Sequence, residues 1–128
     1  MLEAGHDPEL DGGVKVYHYA KCSICRDAIK FLDARGVKYT AVEIDKTPPS
    51  KSELKRMLGF YEGNMRRLFN TSGLVYKELG LKDKLPLLSE SEALDLLSKH
   101  GKLVKRPFVL GDDFGLVGFS EKDWDERF

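Results

Sequence analysis

Cysteine and histidine are scarce in this chain: two of the first and three of the second in 128 residues. That excludes a scaffold stapled by several disulfides, and at this length none is needed, since a domain of about 130 residues buries roughly 65–70% of its unfolded surface. A zinc centre built on the two cysteines would need two further ligands. His6 lies near the start, His18 in an alternating stretch and His100 after a distant helical pattern, without paired spacing. Neither charge sign is in excess, because 21 Lys and Arg balance 21 Asp and Glu. Net charge therefore supports neither direct nucleic-acid binding nor a membrane-surface role. Long apolar runs, repeats and low-complexity stretches are missing too. The opening "MLEAGHDPELDGG" has neither the basic nor the apolar region of an export signal, and residues 1–13 are expected to form a flexible tail. Two cysteines without such a signal fit a reducing cytoplasm.

What remains is organised into three blocks over a single expected domain, 14–128. "VKVYHYA" (14–20) alternates and is rich in β-branched and aromatic residues, the pattern of a strand. Ile24, Ala28, Phe31 and Leu32 then recur at helical spacing, with Gly36 as the stop. "VKYTAVEI" (37–44) is a second strand, which completes a βαβ unit. The stretch 50–101 shows no strand pattern. Ser50 with Glu53 and Ser89 with Glu92 form capping boxes, and short helices are expected at 64–69 and, capped by "NTSG", over "LVYKELGL". "RPFVLGDDFGLVGF" predicts a hairpin, and "SEKDWDERF" a closing helix with Ser120 as N-cap and Trp124 as its apolar anchor.

Both cysteines fall in "AKCSICR", between the first strand and the first helix. A helix N-terminus offers unpaired N–H groups and about half a positive charge, and both favour a thiolate at Cys22. Lys21 and Arg26 add positive charge on either side. A free cysteine with a pKa of about 8.5 is only a few per cent ionised at pH 7. A drop of about two units, about 2.7 kcal/mol, makes thiolate the major form. At this spacing Cys25 can approach the Cys22 sulfur closely enough for a disulfide. An inert buried pair and half of a metal site remain as alternatives.

These residues resemble the arsenate reductase/Spx family. The likeness is carried by "YHYAKCSICR", "TPPSKSELKRML", "LFNTSGLVYKELGLKDKL", "LLSKHGKLVKRPFVL" and "LVGFSEKDW", in that order. It implies an α/β, thioredoxin-like fold: βαβ then ββα around a mixed four-stranded sheet, with a helical block inserted at about 50–101. It makes Cys22 the nucleophile, matches His18 and Arg26 to family positions, and pairs Arg106 with Pro107, a proline held cis. Spx-type members have C-x-x-C, whereas arsenate-reducing members commonly have serine where this chain has Cys25. Three arginines surround the oxyanion in the arsenate reductases. Here only Arg106 has its counterpart, and Asn70 and Gly118 align with the other two. Each charge-assisted contact is worth roughly 1.5–3 kcal/mol, so two losses weigh against arsenate. Arg66 and Arg67, about one turn before Asn70, either form an exposed helix face or partly substitute for the missing arginines.

The first functional reading is a thiol-dependent oxidoreductase in which Cys22 attacks and Cys25 resolves through an intramolecular disulfide. His18, Lys21 and Arg26 would tune the thiolate, and Arg106 would steer a small oxyanion, glutathione or a protein disulfide. No bound cofactor or metal is expected. Electrons would come from glutathione or a thioredoxin or glutaredoxin system, and a monomer is expected. The alternatives are a redox-switched regulator of Spx type that binds the RNA polymerase α subunit, and a true glutaredoxin-coupled arsenate reductase.

Overall fold

Alternation in 14–20 lays one row of side chains on each side of a strand, and the two rows meet different cores. The computed structural model describes residues 14–128; the expected tail, with His6, lies outside the described residues. Strand β1 (Val14–His18) pairs in parallel with β2 (Tyr39–Glu43) and antiparallel with β3 (Phe108–Leu110), which pairs antiparallel with β4 (Gly115–Val117). The sheet order β2-β1-β3-β4 is that of a mixed, thioredoxin-like sheet.

Helix α1 (Ser23–Ala34) crosses over between β1 and β2. Gly36 ends it at φ +68, where its N–H bonds the Asp33 carbonyl and the Val37 N–H bonds that of Leu32. This is a Schellman stop, which glycine favours because it tolerates positive φ. Val14 and Val16 of β1 join Ala28 and Leu32 of α1, Val109 of β3 and Trp124 of α6 (Glu121–Arg127) in one core. On the other face Tyr17, Phe108 and Leu110 meet the helical insertion, through Leu54, Met57 and Leu58 of α2 (Lys51–Phe60) and Leu94 and Leu97 of α5 (Glu90–Lys99). Both capping boxes are made in full: each serine accepts from the glutamate N–H, and each glutamate from the serine N–H.

The insertion departs from expectation between these two helices. Residues 64–69 form a 3-10 turn over Met65–Leu68, and "LVYKELGL" splits into α3 (Leu74–Glu78) and α4 (Leu81–Lys84). Gly80 causes the split, at φ +64, a left-handed conformation no helix can run through. The N-cap of α3 is Gly73, without a side-chain cap, so "NTSG" supplies a turn rather than an oxygen for the helix end. Gly101 lets the insertion close against the sheet: a Cβ there would stand 1.8 Å from the Ile44 carbonyl oxygen. Among the described residues no helix is long and apolar enough to cross a membrane.

Candidate functional site

Strand β1 stops at His18, two residues short of the alternation, because the Cys22 N–H turns back to the Tyr19 carbonyl at 3.0 Å. That turn makes Cys22 the N-cap of α1 and Cys25 the third residue of its first turn. No acidic residue occupies this first turn, so the positive end of the helix is left for the sulfur. Arg26 clamps the turn by donating to the Ala20 carbonyl at 2.9 Å.

The two thiols are driven apart. Burial opposes ionisation of Cys22. Hydrogen bonds from the Cys25 backbone and side chain, and from Arg106 with its charge, outweigh burial and hold the Cys22 pKa below the ordinary cysteine value. Burial pushes the Cys25 thiol up to about 12; a hydrogen bond with the Tyr19 backbone resists this, and the negative Cys22 beside it adds to it. Both cysteines are free, Cys22 half-buried and Cys25 buried. One thiol is thus biased toward the thiolate and the other toward keeping its proton.

Arg106 arrives from the far end of the chain through the Arg106–Pro107 bond, which is cis as the resemblance implies. Its guanidinium donates to the Lys102 carbonyl at 3.1 Å and lies 4.8 Å from the centre of the Tyr19 ring. The structure therefore brings together Cys22, Cys25 and Arg106, with Pro107 joined to Arg106 through the cis bond. It does not bring the other three to the sulfur. Lys21 is exposed, Arg26 is occupied by the loop, and among the described residues no interaction joins His18 to Cys22. The cation that acts on Cys22 comes from the segment leading into β3 rather than from the loop.

A cleft of about 260 Å³ opens next to this group and meets it through Arg106 and Ile24. Ile24 fits the helical period of the apolar residues yet is 51% exposed, in the first turn, where α1 has run past the end of β1. Asn70 does not reach the cleft: its N–H bonds the Leu103 carbonyl, and its side chain accepts from Ser72. Gly118 lines the cleft at φ +74 and brings no charge. Arg67 lines it, whereas Arg66 lines only a neighbouring cleft. Lys105, which sequence reasoning passed over, lines both. The only signal for it was its place beside Arg106.

A C-x-x-C loop at a helix start, with a cis-proline leading into the neighbouring strand and a guanidinium that favours ionisation of the first thiol, defines a thiol protein of the thioredoxin-like fold. The ArsC family model matches residues 17–127, and the chain belongs to that family. It is 41% identical over 112 residues to the uncharacterized protein YusI of Bacillus subtilis (strain 168), covering 88% of this chain and 95% of that one. An arsenate reductase of Rhizobium meliloti (strain 1021) is 35% identical over 97 residues, 76% of this chain and 68% of its own length. The global transcriptional regulator Spx of Streptococcus mutans is 27% identical over 110 residues, 86% and 79% of the two chains. A crystal structure of an ArsC family related protein from Bacteroides fragilis superposes with a TM-score of 0.83 at 41% identity, covering 88% of this chain and 95% of that one.

Proposed function

We propose that the protein is a thiol-disulfide oxidoreductase that works through Cys22 and Cys25. The observation that carries this reading is the opposite treatment of the two thiols. Cys22 sits at the helix start, where Arg106 favours its ionised form, while burial keeps Cys25 protonated. The Cys22 thiolate attacks one sulfur of a substrate disulfide, forming a mixed disulfide and releasing the other half as a thiolate. Cys25 then gives up its proton and displaces the bound half, which leaves as a second thiolate and closes a Cys22–Cys25 disulfide. The substrate gains two electrons and the dithiol loses them. A dithiol protein of thioredoxin or glutaredoxin type, or two equivalents of glutathione, returns the protein to the dithiol.

Intact mass and alkylation test this. Oxidised protein should be lighter by two hydrogens, and iodoacetamide should modify Cys22 at a pH below that of a free thiol. Cys22→Ser should abolish both effects, and Cys25→Ser should trap the mixed disulfide. An unchanged mass together with an ordinary alkylation profile would overturn the reading.

The likeness to the Rhizobium enzyme supports arsenate as a second substrate. The cleft, however, offers Arg106 with Arg67 and Lys105 where three arginines are expected, so weak turnover is expected in a glutaredoxin-coupled assay. The likeness to Spx supports a regulatory reading, and binding to the RNA polymerase α subunit in a pull-down would favour it.

A further inference from the structure

Strands β1 and β3 run antiparallel with Tyr17 opposite Phe108. Two residues further along the same register, beyond the ends of both strands, Tyr19 falls opposite Arg106. The Arg106 guanidinium carbon is 4.8 Å from the centre of the Tyr19 ring, the contact expected of cross-strand neighbours. Alternation puts Tyr19 on the same side as Tyr17, and its ring packs against the same core. The core therefore sets the ring, and the ring meets the cation.

Lys102 reaches this ring too, with Nζ 5.5 Å from its centre, and its carbonyl accepts from Arg106 at 3.1 Å. Two cations at one ring repel each other, and the negative face of the ring offsets that repulsion. Among the described residues no ion pair restrains Arg106. Besides Cys22 itself, one carbonyl and one ring set where its guanidinium lies. The main chain of Tyr19 meets the thiols directly. Its carbonyl accepts the Cys22 N–H at 3.0 Å, and a backbone hydrogen bond joins Tyr19 to Cys25. One residue thus touches both cysteines and the arginine.

We propose that Tyr19 is the positioning residue of this site, its ring holding the Arg106 guanidinium in register with Cys22. This rests on the redox reading of Cys22 only for the use to which the positioned cation is put. A long side chain left to wander gives an averaged, weaker field at the sulfur. An aliphatic residue fills the same core position without attracting a cation, so Tyr19→Leu separates positioning from packing.

The test is the rate of iodoacetamide alkylation of Cys22 across pH. Tyr19→Leu should slow it about fivefold at pH 7 and move the profile to higher pH, and Tyr19→Phe should return it to within about twofold of wild type. In an Arg106→Met background Tyr19→Leu should have no further effect, because the ring acts through the arginine. The Arg106 Nε–H signal should be displaced by the ring in wild type and in Tyr19→Phe but not in Tyr19→Leu, whether or not Cys22 is a nucleophile. Amide spectra show that each variant is folded. Wild-type alkylation in Tyr19→Leu, a further slowing in the Arg106→Met background or an unmoved Arg106 signal would each overturn the proposal and leave the redox reading standing. An ordinary thiol profile in wild type would overturn the redox reading instead, and the arginine signal would still decide the positioning.

Discussion

The Tyr17 hydroxyl donates to Oε1 of Glu53 over 2.7 Å, and that same oxygen accepts the Ser50 N–H that completes the capping box of α2. Lys15 Nζ stands 3.0 Å from the second oxygen, Oε2. One carboxylate thus caps a helix and ties it to the central strand, with side-chain exposures of 25% for Lys15 and 14% for Glu53.

Glu53→Gln should therefore destabilise the fold by about 3 kcal/mol in denaturant unfolding, because it replaces a part-buried carboxylate that accepts from Ser50, Tyr17 and Lys15 with an uncharged amide. The sign with pH follows. Burial opposes ionisation of Glu53, but the Ser50 N–H, Tyr17 and Lys15 hold its pKa below the ordinary value. Its contribution is complete above the unfolded glutamate pKa and is lost as pH falls through the lower folded one. The variant should show a flatter acid limb in stability against pH.

Arg106→Met should slow iodoacetamide alkylation of Cys22 at pH 7 by about tenfold and move the profile to higher pH, since a charge-assisted bond to the thiolate is lost. Arg106→Lys should recover part of the rate. Equal rates in all three proteins would show that the helix end alone sustains the thiolate.

Two glycines should respond with opposite signs. Gly101→Ala forces a methyl group into the Ile44 carbonyl and should cost about 3 kcal/mol. Gly59→Ala, inside α2 with nothing within 4 Å of the new methyl, should add about 0.5–1 kcal/mol. Thermal melts of the pair would check both.

Trp124 is 0% exposed and makes edge contacts with Phe31, Phe119 and Phe128 at centroid distances of 5.9, 4.9 and 5.7 Å. Trp124→Ala should cost about 3–5 kcal/mol. A helix as short as α6 does not persist without its anchor, so its amides should lose hydrogen-exchange protection before those of α1.

Local signals were legible in the sequence and distant ones were not. The capping boxes span three residues, and the change from alternation to helical spacing around Cys22 happens within a few positions, so elements and thiols could be placed directly. Arg106 could be tied to the thiol only through family likeness, since nothing near "KRPF" refers to a cysteine at the other end of the chain. Lys105 left no local mark, because only the folded chain sets it on the lining of both clefts. Ile24 misled because helical periodicity reports which face a residue is on, and not whether the sheet still extends beneath it. Glu53 showed its cap but not its partners on β1, which lie 36 and 38 residues earlier in the chain.

Only 1% of Cys25 is exposed, whereas Cys22 is half-buried at the mouth of the loop. A bulky reagent arriving from solution can therefore touch just one of the two sulfurs, whatever their relative nucleophilicity. Steric access imposes the regiochemistry: adducts form on the outer atom, and the inner one is reserved for intramolecular traffic.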